Sequence, residues 1–200
     1  DQILKLALSM RGVMIKMTQA VATRADMFPP EFIEKLKQCH DAVPFQPFEV
    51  VRAVVERELG KPLDAVFSEF EEQPIAAASL AQVHAAKLHD GREVAVKVQY
   101  PDIEDIIRTD LNNMQRVCRI YEFFDPQPLE LMPLLKELTT HLSYELDFER
   151  EADCSERVLE LFSDDDRGKI PEVYREWSTK RVLVMEKISG IKITERAAIE

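Results

Sequence analysis

Hydrophobic side chains recur with a helical period over the first third of the chain. The apolar positions fall three or four residues apart over 3–23 and 48–59, and a shorter helical pattern occupies 30–40. Proline-containing stretches separate these segments, and proline favours a helix start or a stiff connector over a helix interior. We therefore predict a helical extension over residues 1–65.

The hydrophobic period changes after residue 65. A strand is predicted near Phe67 to Glu71, and two apolar runs rich in β-branched residues flank the dipeptide Asp90-Gly91. Because both central residues of a tight two-residue hairpin turn need positive φ, this dipeptide predicts such a turn between two strands. The second run, Val94 to Val98, is apolar on both faces except at Lys97. An unpaired buried ammonium is costly, so we expect Lys97 to have an anionic partner or to reach solvent.

Helical and strand patterns alternate over the rest of the chain. The predicted helices are 103–124 and 129–162, the second with a break near 141–144, and the predicted strands are 170–173 and 181–186, joined across 176–180. Residues 66–200 are thus predicted to form a second unit, a sheet-containing lobe with inserted helices. The whole pattern predicts an α+β fold with a small antiparallel sheet.

Composition and charge exclude several classes of protein. The chain has 200 residues, of which 46% are hydrophobic, and this is enough to bury a core. Its net charge of −11 argues against nucleic acid as a partner, because phosphate neutralisation requires clustered Lys and Arg. The three cysteines and four histidines are isolated, so they predict neither a disulfide framework nor a metal site. No apolar run reaches the roughly 18 residues of a membrane span, and the first residues lack the order of a signal peptide.

The candidate chemistry begins with a stretch of small residues before the hairpin. The run Ala76-Ala77-Ala78-Ser79 would allow a ligand to approach closely, and Lys97 follows on the second hairpin strand. A small-residue loop, a hairpin and a strand lysine in this order are typical of the phosphate-binding lobe of a kinase. The alternative is a surface hairpin whose lysine reaches solvent, preceded by the start of a helix.

Two carboxylates near the end of the chain are candidates for the partner of Lys97. Asp147 and Glu151 fall four residues apart, and the apolar positions Cys154, Val158 and Leu161 continue the same helical face. Carboxylates on an otherwise apolar stripe are usually paired, so one of the two is expected to pair with Lys97. The alternative is that this polar end of the helix simply reaches solvent.

Several ordered motifs together resemble the UbiB/ADCK family of atypical protein-kinase-like proteins, and the resemblance covers essentially the whole chain. Lys16-Met17-Thr18-Gln19 resembles the Lys-x-Gly-Gln signature of that family, and the alanine run resembles the loop that replaces its glycine-rich loop. The other matching segments are Val94-Ala95-Val96-Lys97 for the nucleotide-binding strand, Glu145-Leu146-Asp147 for the Glu-x-Asp motif, Glu151 for the pairing helix, and Leu183-Val184-Met185-Glu186 for the strand that leads into the hinge.

The resemblance implies a protein-kinase-like N-lobe that follows a helical extension and binds ATP or ADP with Mg²⁺. It implies that Lys97 contacts nucleotide phosphates and is oriented by Glu151, and that Lys16 and Gln19 lie over the cleft with Glu145 as the partner of Lys16. The nucleotide-binding residues that it implies are Ala76, Ala77, Ala78, Ser79, Lys97, Glu151, Met185 and Glu186, and the family-motif residues are Lys16, Gln19, Glu145 and Asp147.

The family also implies the kind of activity. Its extension covers the place where a protein substrate would dock, which favours lipid-linked ATPase or small-molecule kinase chemistry connected to coenzyme Q or other isoprenoid lipids. It implies a lipid or membrane surface and proteins of lipid biosynthesis as partners, and no nucleic acid. The expected location is a mitochondrion or plastid in a eukaryote and the cytoplasmic membrane face in a bacterium.

The chain departs from the family pattern at two points. Thr18 stands where the family usually has glycine, and no segment resembles the His-x-Asp catalytic loop or the Asp-Phe-Gly metal-binding motif. A catalytic base and a complete Mg²⁺ site are therefore expected in a second lobe outside these 200 residues. The alternative function is a noncatalytic pseudokinase-like module that binds a protein partner or a lipid surface.

Overall fold

An antiparallel sheet with helices on both sides organises the chain, which confirms the predicted α+β class. The computed structural model describes residues 45–78, 80–124, 131–163 and 168–190. The strands are β1 Phe67–Phe70, β2 Ala76–Ala77, β3 Ala81–Leu88, β4 Glu93–Gln99 and β5 Val182–Glu186. The helices are α1 Phe48–Leu59, α2 Leu63–Val66, α3 Ile103–Phe124, α4 Leu131–Glu145 and α5 Phe148–Leu161, and a 3-10 turn covers Arg175–Trp177. The helices predicted over 3–23 and 30–40 lie outside the described residues.

The strand order is β1-β3-β4-β5, and β2 pairs with the same edge of β3 as β1 does. In this register Val83 on β3 lies opposite Lys97 on β4, and Lys97 lies opposite Leu183 on β5. Residues paired across neighbouring strands project from the same face of a sheet. One face therefore carries Lys97, and the other carries the strand residues that pack against α1.

The hairpin between β3 and β4 is present as predicted, but its turn is not the two-residue type. The Leu88 carbonyl accepts a hydrogen bond from Gly91 N–H at 3.0 Å, and Leu88 N–H donates to the Arg92 carbonyl at 2.9 Å. Gly91 has φ = 91°, whereas Asp90 keeps a negative φ. The loop thus has three residues with a left-handed glycine at its end, a type that needs only one positive φ. The Asp90 carboxylate supports it by accepting a hydrogen bond from Arg92 N–H at 3.1 Å.

Helix α1 covers the sheet face opposite Lys97. Val54 and Val55 of this helix are buried in one cluster with Val94, Val96 and Val184 of the sheet. Apolar burial of this kind is the main favourable contribution to folding. The final residues of the predicted extension therefore share the core of the lobe, and the boundary after residue 65 stays a prediction.

A buried histidine lies on the sheet face that α1 covers. His84 is 0% exposed, and its Nδ1 lies 2.8 Å from the Glu71 carbonyl oxygen while its Nε2 lies 2.9 Å from Nε2 of Gln82. A carbonyl can only accept, so Nδ1 carries the proton and Nε2 accepts from the Gln82 amide. This pattern requires neutral imidazole, and burial lowers the pKa of His84 from its ordinary value of 6.5.

We expect this histidine to make the lobe less stable in mild acid. Below pH 6.5 the unfolded chain binds a proton at His84, whereas the folded chain keeps this imidazole neutral. The free energy of unfolding therefore decreases as the pH is lowered, until the pH reaches the lowered pKa of His84 in the folded chain. Urea unfolding at a series of pH values from 7.5 to about 5 measures the slope. His84→Gln should remove this part of it, while His89→Gln, a change at an exposed histidine, should leave it. An unchanged slope in His84→Gln would contradict the assignment.

The two inserted helices form a second cluster beside the sheet. Ile107 and Leu111 of α3 pack with Leu135 and Leu142 of α4, and this cluster continues to Leu80. The predicted helix 103–124 is confirmed, and so is a break in the following helical segment, but the break is not at 141–144. Helix α4 continues through that stretch, and the helical segment is interrupted at residues 146–147.

Two hydrogen bonds explain where the break falls. The Asp147 carboxylate accepts a hydrogen bond from Arg150 N–H at 3.2 Å, which caps the first turn of α5. Buried Gln99 donates from Nε2 to the Leu146 carbonyl at 2.7 Å, which fixes the last peptide before the cap to the end of β4. The hydrophobic period shows neither interaction, and it therefore predicted the break several residues too early.

The final sheet segment is shorter than predicted. Of residues 170–173, only Val173 pairs with β5, through an isolated bridge to Met185, while the second predicted strand forms β5. The 3-10 turn lies in the connection between them.

Candidate functional site

A lysine–glutamate ion pair lies at the centre of the inner face of the sheet, which is the face opposite α1. Nζ of Lys97 lies 2.7 Å from both Oε1 and Oε2 of Glu151. The pair joins β4 to the first turns of α5, and the two side chains are 22% and 39% exposed. The prediction that Lys97 has a carboxylate partner is confirmed, and the partner is Glu151. An ammonium has three donors, and among the residues that the structure describes Lys97 has Glu151 as its only hydrogen-bond partner. Lys97 therefore retains capacity for an anionic ligand.

An aromatic ring completes the surroundings of Lys97. Nζ lies 4.7 Å from the ring centroid of Phe148, which is 1% exposed. The negative face of an aromatic ring attracts a cation at this distance. Phe148 precedes Glu151 by one helical turn, so both contacts to Lys97 come from the beginning of α5. Sequence reasoning missed this residue, although its spacing from Glu151 was a usable signal.

Asp147 does not lie on the helical face on which the sequence pattern placed it. It lies just before α5 with extended backbone angles and caps the helix, so it does not share a helical face with Glu151. The remaining residues of the predicted apolar stripe do not face the core, because Cys154, Val158 and Leu161 are exposed. The buried positions of α5 are Phe148 and Ala152, since only the first turns of this helix lie on the sheet.

The alanine run forms a second hairpin beside the ion pair. Ala76 and Ala77 form β2, where the sequence had suggested a loop, and they pair with Val83 and Gln82 of β3. Ala78 N–H donates to the Ala81 carbonyl at 2.7 Å and closes the turn, while Ser79 lies outside the described residues. Since Ala76 is opposite Val83 and Val83 is opposite Lys97, the hairpin continues the face that bears the ion pair.

An apolar cluster adjoins the ammonium on the same face. Phe148, Ala152 and Leu183 are buried there, and the partly buried side chains of Ala78 and Met185 pack against them. Met185 lies opposite Ala95, two residues before Lys97 on β4. The face thus places a cation next to a small apolar surface, which suits a ligand with an anionic end and a flat apolar end.

The remaining predicted site residues are distributed as follows. The Glu186 carboxylate is paired with Lys169, which lowers the pKa of that carboxyl, and Glu186 N–H donates to the Glu172 carbonyl at 2.8 Å. Glu145 ends α4, two residues before the Asp147 cap. Lys16 and Gln19 lie outside the described residues, so their predicted position over the cleft stays a prediction.

The part of the chain that the structure describes has neither a metal-ligating cluster nor a helix that could span a membrane. Within it, no group of three or more His, Cys, Asp or Glu side chains is placed to hold a metal ion. The helices in the same ranges are also too short or too polar to cross a bilayer.

The antiparallel sheet, the alanine hairpin and the helix that pairs with a strand lysine define the class of protein, a kinase-like N-lobe. The family model described as the ABC1 atypical kinase-like domain matches residues 38–200. The chain therefore belongs to the ABC1 family of atypical kinase-like proteins, together with AarF, UbiB and ADCK relatives, and the resemblance seen in the sequence motifs is confirmed.

Relatives from animals, bacteria and plants share this similarity. The chain is 40% identical over 195 residues to AarF domain-containing protein kinase 1 of Xenopus tropicalis, and 38% identical over 203 residues to the probable protein kinase UbiB of Aeromonas salmonicida. Each alignment covers 98% of this chain and 37% of the relative, so the chain spans little more than a third of their length. A chloroplastic relative, ACTIVITY OF BC1 COMPLEX KINASE 8 of Arabidopsis thaliana, is 36% identical over 190 residues, covering 93% of this chain and 25% of the relative.

A solved structure has the same fold. The Mycobacterium tuberculosis protein Rv3197, determined in complex with erythromycin, is 32% identical and superposes with a TM-score of 0.67 over 97% of this chain and 49% of that one.

Proposed function

We propose that this chain is the nucleotide-binding half of an atypical kinase or ATPase, with ATP or ADP held between the alanine hairpin and the inner face of the sheet. The observation that carries the proposal is the ion pair of Lys97 with both oxygens of Glu151, at 2.7 Å each. An assembled kinase lobe uses a lysine–glutamate pair of this kind to orient the lysine toward nucleotide phosphates.

The residues present fit a nucleotide. Lys97 offers a partly exposed ammonium for phosphate oxygens, and the Phe148 ring and Glu151 carboxylate hold that ammonium in place. The small side chains of Ala76, Ala77 and Ala78 allow a ligand to approach the hairpin backbone. Ala95 and Met185 would provide apolar contact for the base, and Glu186 would contribute through its backbone because its carboxylate is paired with Lys169. Mg²⁺ would come with the phosphates, since the described residues supply no cluster of metal ligands.

We further propose that the full-length protein acts in coenzyme Q or other isoprenoid lipid metabolism, on a lipid-linked or small-molecule substrate. Support comes from the 38% identity to UbiB and from the Lys-x-x-Gln motif at Lys16 and Gln19, which in this family belongs to an extension over the cleft. On the same support we propose that the protein acts at a membrane surface, in a mitochondrion or plastid of a eukaryote or at the cytoplasmic membrane face of a bacterium, with proteins of lipid biosynthesis as partners.

The test is nucleotide binding and turnover by the full-length protein. Calorimetry with ATP and ADP, each with and without Mg²⁺, should show saturable binding, and ADP release should rise when vesicles that contain isoprenoid quinone precursors are added. The matched control is vesicles of the same phospholipids without the precursors. Absence of binding for both nucleotides would reject the nucleotide site, and turnover unaffected by the precursors would reject the lipid assignment alone.

A further inference from the structure

An arginine outside the nucleotide cleft holds the helix that carries Glu151. Arg175 lies in the 3-10 turn, and its Nε and Nη2 donate to Oε1 and Oε2 of Glu156 at 2.6 and 2.7 Å. Nη2 also donates to the carboxylate of Asp153, and Nη1 to the Glu149 carbonyl at 3.4 Å. All three acceptors belong to α5. One guanidinium thus contacts three positions of the pairing helix.

The backbone that carries Arg175 is fixed to the sheet. Tyr174 N–H donates to the Val184 carbonyl at 2.9 Å, and Glu186 N–H donates to the Glu172 carbonyl at 2.8 Å. Between these bonds Val173 forms its bridge to Met185. Arg175 therefore extends from a segment that is hydrogen-bonded to β5 along the edge away from β4.

The contacts of Arg175 and Lys97 lie on opposite flanks of α5. Successive residues of an α-helix are about 100° apart around its axis. Phe148 and Ala152 mark the buried stripe, and on this spacing Glu151 lies roughly 80° to one side of it. Glu156 lies roughly 60° and Asp153 roughly 120° to the other side. A rotation of α5 about its axis, or a movement away from the sheet, would break one of the two sets of contacts.

The electrostatics strengthen this attachment. The first turn of α5 carries Glu149 and Glu151 after the Asp147 cap, and Asp153 and Glu156 follow, so cations from the sheet oppose a concentration of carboxylates. The hydrogen bond from Arg175 lowers the pKa of Glu156, and the pKa of Arg175 is raised in turn. Exposed single ion pairs contribute little, but a bidentate guanidinium within a network of several charges is the exception.

We propose that Arg175 is a positioning residue for the nucleotide site: it holds α5 so that Glu151 meets Lys97, and it thereby sets nucleotide affinity without touching the nucleotide. This inference rests on the proposed nucleotide site. The inference gives segment 172–175, which carries Arg175, a function in nucleotide binding. Neither the sequence motifs nor the pair of Lys97 with Glu151 involves this segment.

The test is a double-mutant cycle on the full-length protein, with ADP and Mg²⁺ as the probe. Arg175→Gln should weaken binding roughly three- to tenfold, and Arg175→Lys should recover part of the loss. In a Glu151→Gln background the same Arg175→Gln change should have little further effect, because it acts through Glu151. Arg52→Gln is the matched control: Arg52 is an exposed arginine on α1 that is paired with the Glu56 carboxylate, and its loss should leave affinity unchanged.

A second measurement keeps the positioning inference separate from the nucleotide site. Hydrogen exchange of residues 148–156 without nucleotide should be faster in Arg175→Gln than in wild type and unchanged in Arg52→Gln. If wild type binds no ADP, the proposed function fails together with the effect on affinity, and the exchange result then decides only whether Arg175 holds α5. Equal exchange in wild type and Arg175→Gln would overturn the positioning inference, and so would equal losses of affinity in the Glu151 and Glu151→Gln backgrounds.

Discussion

Replacement of Lys97 by alanine is expected to lower the affinity of the full-length protein for ATP and ADP by more than tenfold. The change removes the ammonium that faces the cleft, and a charge-assisted hydrogen bond contributes about 1.5–3 kcal/mol, which corresponds to a loss of roughly one to two orders of magnitude. The fold should persist, because Glu151 is 39% exposed and its carboxylate can be hydrated when its partner is lost. Calorimetry with each nucleotide measures the loss.

The matched control for this prediction lies on the neighbouring strand. Lys87 of β3 has an exposed ion pair with Glu69 at 3.8 Å, so Lys87→Ala removes the same chemical group from the same sheet without reaching Lys97. The nucleotide affinity of Lys87→Ala should equal that of wild type. If the two variants bind alike, Lys97 is a structural ion-pair residue and the nucleotide site lies elsewhere.

The sequence contained enough information to predict the pairing of Lys97. A lone ammonium in an apolar strand needs a carboxylate, and α5 is the helix on which an acidic residue interrupts an amphipathic pattern. The pattern did not decide between Asp147 and Glu151, because a helical period does not show where a helix begins. The preference of aspartate for the N-cap was the missing signal, and it would have assigned Asp147 to the cap and left Glu151 for Lys97.

Other errors came from interactions that the hydrophobic pattern does not show. The Asp90-Gly91 dipeptide is compatible with two-residue and three-residue loops, and the bond from Arg92 N–H to the Asp90 carboxylate is part of the three-residue loop that forms. The alanine run has no period, so its pairing with β3 was not visible. Gln99, which anchors the start of α5 from the end of β4, reads in the sequence as an ordinary strand residue. The bond in the turn is local but is not part of the hydrophobic period, and the partner of Gln99 lies far from it in the sequence.

Replacement of Phe148 by alanine should be the most destabilising single change at the site. This side chain is 1% exposed and packs with Ala152 and Leu183 between α5 and the sheet, so its removal leaves a cavity where the helix meets β5. Changes from Phe to Ala in a core cost about 3–5 kcal/mol of stability, and the loss of the ring contact with Lys97 adds to this. Urea unfolding of the full-length protein should show this fall as a lower midpoint for the lobe.

Phe162→Ala is the control for Phe148→Ala, since it makes the same change at the other end of α5, where Phe162 is 52% exposed. A surface change of this kind should alter stability by less than about 1 kcal/mol. Phe148→Leu separates packing from the ring, because it keeps an apolar side chain and should recover most of the lost stability without restoring the contact with the ammonium. Equal midpoints for Phe148→Ala and Phe162→Ala would show that α5 is not held to the sheet through Phe148. In that case the positions of Glu151 and Lys97 would depend on the Asp147 cap, the bond from Gln99 to the Leu146 carbonyl and the ion pairs of Lys97 and Arg175.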